Sequence, residues 1–130
     1  MDNLKLHHIG VATKNIEKEF EVFKKLGYKQ SSEVFIDEIQ GIRGMFIEAR
    51  GQPCLELLEN LSSDGPLTSF LQKRTKFYHF AYETVDIERS VSRLLVEGGV
   101  VVKPMVAAVY FKRVCFVMMK NMMLVELVER

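Results

Sequence analysis

Two histidines and two glutamates occupy equivalent places in strand-like stretches of this chain: His8 in LKLHHIGVA, Glu56 in LELLE, His79 in FYHFAYET and Glu126 in LVELVE. Alternate side chains of a strand share a face, so His8 points away from Ile9 and Val11, and His79 away from Phe80 and Tyr82. By the same parity Glu56 opposes Leu55 and Leu57, and Glu126 opposes Val125 and Leu127. The apolar neighbours want the core, which leaves the four polar groups on the other face. A carboxylate buried alone there would have to neutralise or find a partner, and a cation is one such partner. Two imidazoles and two carboxylates suit a borderline or hard divalent ion, such as zinc, nickel, cobalt, manganese or magnesium, with positions left for water or substrate oxygens. Taken singly, a histidine on an apolar strand is more often hydrogen-bonded structure, and a glutamate at a strand end is commonly solvated. Recurrence favours the ligand reading. His7 has the opposite parity and is assigned to structural support.

The elements that would position these groups also recur. Sliding the sequence along itself sets His8 on His79, Thr13 on Thr84, Ile16 on Ile87, Glu17 on Glu88 and Gly27 on Gly98. A second match, shifted by one residue, lays 43–59 on 113–129 and pairs Arg43 with Arg113, Phe46 with Phe116, Glu56 with Glu126 and Glu59 with Glu129. The first helix is expected after an Asn15 cap, with Ile16, Phe20, Phe23 and Leu26 as its apolar stripe and Gly27 at its end. The second is expected after Asp86, with Ile87, Val91, Leu94 and Leu95, then Gly98. Each long self-match reads as a β-hairpin with its tip near Arg50-Gly51 or Lys120-Asn121, where Gly and Asn tolerate positive φ. One further strand per half, near 32–37 and 99–104, completes βαβββ twice. The expected fold is α+β: two tandem βαβββ modules forming an incomplete barrel around a cleft. One domain spans 1–130, with modules at 1–61 and 75–130 and a linker at 62–74 containing a short helix, Pro66 lying near its first turn.

Composition narrows the function classes. In 130 residues, 18 basic and 17 acidic side chains give a net charge of +1, so no broad field exists to hold nucleic acid or an anionic membrane. Pairs such as Lys24-Lys25 and Lys73-Arg74 read as solvated faces. No apolar run approaches the roughly 20 residues of a membrane span, and a cytoplasmic protein is expected. Cys54 and Cys115 lie in apolar runs, as reduced packing residues rather than a bridge. The apolar run 100–110, charged only at Lys103, would be hazardous as an open edge, so pairing or a homodimer is expected to cover it.

The segments HHIGVATKNIEKEFEVFKKLGY, LELLE, SDGPLTSFLQKR, YHFAYETVDIE and LVELVE resemble the vicinal-oxygen-chelate (glyoxalase, bleomycin-resistance and dioxygenase) superfamily throughout the chain, and within it the methylmalonyl-CoA epimerase group. The central DGPLTSFLQKR before YHFAYET is the most specific match. The resemblance implies metal ligation by His8, Glu56, His79 and Glu126, and an epimerase or isomerase that abstracts a proton next to a carbonyl of a small-molecule or acyl-CoA-like ligand. It further implies that Glu126 combines ligation with proton transfer. Some members carry a second Glu after a QG turn. Here Gln40-Gly41 matches the turn, but Gly44 stands where that Glu would be. Glu48, of the same parity, is the candidate substitute. Two other departures are Tyr110 and Phe111 before the last hairpin, and a tip rich in methionine (Met118, Met119, Met122, Met123), for packing, dimer contact or an apolar ligand. The alternative function is non-catalytic sequestration of a small molecule, as resistance-type members do.

Overall fold

A computed structural model describes residues 4–130. The chain divides into two compact units, His8–Tyr78 and His79–Arg130, the second also taking in residues 4–7. Both are mixed α and β, strand-rich with few helices, and in neither do the strands close on themselves.

In the N-terminal unit, β1 (Lys5–Ala12, entering at His8) leads into α1 (Ile16–Lys24), and four more strands follow: β2 (Lys29–Gln30), β3 (Phe35–Asp37), β4 (Ile42–Glu48) and β5 (Leu55–Asn60). The strand order is β2-β4-β5-β1, with β3 also on β4. β1 runs parallel to β5 with Gly10 opposite Glu56, and β4 runs antiparallel to β5 with Phe46 opposite Glu56. The single strand expected at 32–37 is instead two short ones, both paired to β4. The core is the helix-facing side: Val11, Ile16, Met45, Ile47, Leu55 and Leu57, with Phe20 and Phe23 packed on it. Asn15 caps α1 by accepting from Lys18 N. Leu26 does not belong to the stripe. The helix ends at Lys24, and two residues later Leu26 is 60% exposed. The segment before the second unit is held by Asn60, which accepts from Leu67 N and donates to Thr68, and it carries α2 (Thr68–Gln72).

The C-terminal unit repeats the plan with β6 (Phe77–Thr84, entering at His79), α3 (Ile87–Val96), β7 (Val100–Val106), β8 (Arg113–Met118) and β9 (Leu124–Glu129), in the order β6-β9-β8-β7. Its registers match those of the first unit, with Ala81 opposite Glu126 across the parallel pair and Phe116 opposite Glu126 across the hairpin. Ile87, Val91, Cys115, Val117, Val125 and Leu127 make its core, with Leu94, Met119 and Met123 packed against it. Asp86 caps α3 through Arg89 N. Leu95, expected on the buried stripe, faces outward, and the small Ser90 takes a place on the buried side. At the hairpin tips, Gly51 adopts φ +74° as expected, but in the second turn Met122 takes the positive φ of 69°. Asn121 instead accepts a hydrogen bond from Met123 N, so its side chain shapes the turn rather than its backbone. Among the described residues no helix is long and apolar enough to cross a membrane.

One device ties helix to sheet in both units. In the first, Glu59 at the end of β5 accepts from Ile16 N at 2.8 Å, the first residue of α1, and Arg43 of β4 bridges Glu59 and Glu17 at 3.0 Å each. In the second, Glu129 accepts from Ile87 N at 3.2 Å, and Arg113 bridges Glu129 and Glu88. A carboxylate there satisfies an orphan amide and complements the helix dipole.

Candidate functional site

Each unit places one histidine and one glutamate side by side on the face opposite its helix. In the N-terminal unit, Gly10 opposes Glu56 on neighbouring strands, so His8, two residues before Gly10, shares the face of Glu56. His8 Nε2 lies 3.0 Å from Glu56 Oε1, and the imidazole meets the Phe46 ring edge-on at 5.1 Å. The C-terminal unit gives the same geometry: His79 Nε2 is 3.0 Å from Glu126 Oε1, and the imidazole meets Phe116 at 5.3 Å. The exposures are 0% for His8, 7% for Glu56, 2% for His79 and 3% for Glu126. None of these is a solvated strand end. Parity is therefore the physical reason these polar residues lie off the core while their apolar neighbours pack in it.

Each unit thus offers an imidazole nitrogen and a carboxylate oxygen from rigid, hydrogen-bonded strands. This donor chemistry fits borderline or hard divalent cations.

The remaining expected residues fall as follows. Glu48 ends β4, exposed and opposite Lys29, two residues beyond Phe46 and so on the face of Glu56. Burial, with the charges of Glu48 and Glu56 adding to it, pushes the Cys54 thiol up to about 11. Cys54 and Cys115 are both unbridged. His7 accompanies Arg130 at 3.1 Å, Glu83 at 3.9 Å and the edge of Phe111 at 5.1 Å. Gly44 lies under an aromatic ring: a Cβ built there would come within 2.5 Å of Phe35 Cζ. That ring stacks on Phe46 at 5.7 Å and 23°. Phe35, Phe46 and Phe116 carried no chemical motif in the sequence, though the pairing of Phe46 with Phe116 in the self-match was a usable signal. Lys103 also went unassigned to any site.

Comparison with known proteins agrees with this architecture. The model of the Glyoxalase/Bleomycin resistance protein/Dioxygenase superfamily matches residues 7–116. The mitochondrial methylmalonyl-CoA epimerase of Dictyostelium discoideum is 28% identical over 97% of this chain and 78% of its own length. The mouse mitochondrial epimerase is 33% identical over 69% of this chain and 51% of its own length, so the chain spans about half of that relative. Among solved structures, a hypothetical protein of Bacillus halodurans superposes with a TM-score of 0.86 at 27% identity, over 99% of this chain and 96% of the other. Methylmalonyl-CoA epimerase from Mycobacterium tuberculosis gives 0.81 at 25% identity, over 96% and 87%. With a duplicated strand-and-helix plan and a family match over most of its length, the chain belongs to the Glyoxalase/Bleomycin resistance protein/Dioxygenase superfamily.

Proposed function

We propose that the chain is a divalent-metal-dependent epimerase or isomerase that removes a proton from carbon next to a carbonyl, with a methylmalonyl-CoA-like thioester as the leading substrate. The observation that carries this reading is the pair of equivalent, buried His–Glu couples, His8 with Glu56 and His79 with Glu126. In the proposal these four residues are the metal ligands. Such an ion would supply Lewis acidity toward the substrate carbonyl. Glu126 then moves the proton, and the neighbouring imidazole fixes the carboxylate's orientation. Glu48 is proposed as the second proton carrier, on the face of Glu56. The epimerase relatives support the reaction class.

The test is deuterium incorporation at the α-carbon of methylmalonyl-CoA in D2O. Exchange should require added divalent metal and should fall by roughly a hundredfold or more in Glu126→Gln, as expected for removal of a positioned acid–base group, and in His79→Ala, through loss of a ligand that also orients Glu126. Exchange that survives thorough chelation removes the mechanism.

A second reading, sequestration of a small organic molecule, is favoured by one observation: glycine under the Phe35–Phe46 stack in place of a carboxylate at position 44. Tight ligand binding without exchange would select it. A homodimer is part of the proposal, supported by the exposed Val100 and Val102 on edge strand β7, and light scattering reads it directly. A cytoplasmic location is supported by the two free thiols.

A further inference from the structure

The registers of the C-terminal unit carry a cation onto the face of His79 and Glu126. Lys103 of β7 opposes Phe116 of β8, and Phe116 opposes Glu126 of β9. Directly opposed residues share a face. The side chain agrees, since Lys103 Nζ lies over the Phe116 ring, 5.4 Å from its centroid. This is the ring that His79 meets edge-on. The β7–β8 pairing shifts register on both sides of Lys103, and such irregularities re-aim side chains and recur beside functional sites. Neighbouring Val102 points outward and is exposed, whereas Lys103 is half-buried.

This placement is costly without a counter-charge. Among the described residues the Lys103 side chain forms no salt bridge; its partners are the Phe116 ring and the longer-range charge of Glu126. Burial lowers the pKa of the ammonium, and Glu126 pulls it back up. A cation–π contact offsets only part of the desolvation of an ammonium. A ligand anion would complete the compensation, because charge-assisted hydrogen bonds are the strong ones. The N-terminal unit has no such cation at the corresponding place. There the ring of Phe35 covers Phe46.

We propose that Lys103 is the residue that recognises the free carboxylate of a malonyl-type head at the Glu126 site, a group that a neutral acyl chain lacks. The inference rests on the epimerase reading for where the carbonyl sits, but anion binding can be measured without turnover.

The experiment is calorimetric titration of manganese-equilibrated protein with malonate and, separately, with propionate, which lacks the second carboxylate. Lys103→Met should weaken malonate binding by roughly tenfold to a hundredfold, the range for one charge-assisted hydrogen bond. Propionate binding should change little, and Lys103→Arg should restore most malonate affinity. Lys103→Gln serves if the Met variant misfolds. Equal malonate affinity in the wild type and Lys103→Met, or no preference of the wild type for malonate over propionate, overturns the inference. Exchange assays on methylmalonyl-CoA and propionyl-CoA separate the two claims. Lys103-dependent malonate binding with no exchange on either thioester sinks the epimerase reading and leaves the anion site. Exchange on both, equally sensitive to Lys103→Met, sinks the anion site and leaves the chemistry.

Discussion

In the N-terminal unit an aromatic ring, Phe35, stands over Phe46; in the C-terminal unit an ammonium, Lys103, stands over the equivalent Phe116. Everything beneath is shared: the His–Glu couple at 3.0 Å, the edge-on ring, the hairpin register and the Arg–Glu link to the helix. The difference shows which parts of a duplicated scaffold are tied by backbone geometry and which are free to diverge. The couples are fixed by parallel pairing and parity. The groups over the rings come from β3 and β7, the last strands laid on each hairpin, where the pairing is short or broken by register shifts. One unit has acquired an apolar wall and the other a charged one.

The largest effect expected from breaking this comparison is at position 44. Gly44 and the buried Val114 occupy equivalent places, but Val114 packs its side chain with Ala81 and Val128, whereas a Cβ at position 44 would run into the Phe35 ring. Gly44→Ala should cost about 1–3 kcal/mol by overpacking, read by denaturant unfolding. Most of that cost should vanish in the Phe35→Ala background, and equal costs in both backgrounds would refute the steric account. A smaller effect should separate the two helix links. Arg113 grips Glu129 through Nε and a terminal nitrogen, while Arg43 reaches Glu59 through one nitrogen. Arg113→Ala should therefore lower the melting temperature by a few degrees, and Arg43→Ala by less; the reverse order would count against geometry as the cause.

The smallest effect is on acid stability. The Arg113 guanidinium, then the Ile87 amide, hold the Glu129 carboxyl below its ordinary value. The unfolded chain therefore binds that proton more readily. The contribution of Glu129 is complete above the usual glutamate range, near pH 4.3, and is lost as pH falls through the lowered folded value. Arg113→Ala should flatten the decline in stability below about pH 4.5, and an unchanged slope would show that the pair adds nothing to it.

Much of this was legible in the sequence because it depends on period and local chemistry. Alternation in LELLE and LVELVE oriented Glu56 and Glu126, and Asn15 and Asp86 announced both helices. The helix ends were less legible: Leu26 and Leu95 continue the apolar spacing, but one lies beyond the last turn and the other falls outside a narrow stripe that Ser90 shares. At the second hairpin, composition pointed to Asn121 for the left-handed residue, whereas its side chain bonds ahead to Met123 N and passes that conformation to Met122. Arg43 with Glu59, and Arg113 with Glu129, recurred plainly in the self-match, but their joint task needs the β4–β5 and β8–β9 registers. Lys103 was hidden most deeply. It breaks the repeat, stands alone in an apolar run, and reaches the Glu126 face only across two strand pairings and an irregularity.

The ring over Gly44 also constrains which mutational routes are open. A lineage that would install an acid at this position must first shrink or swing away Phe35, because any Cβ meets the ring before a carboxylate could be of use. The two changes are epistatic and ordered, so single-substitution libraries would score position 44 as intolerant and conceal what a paired library could find.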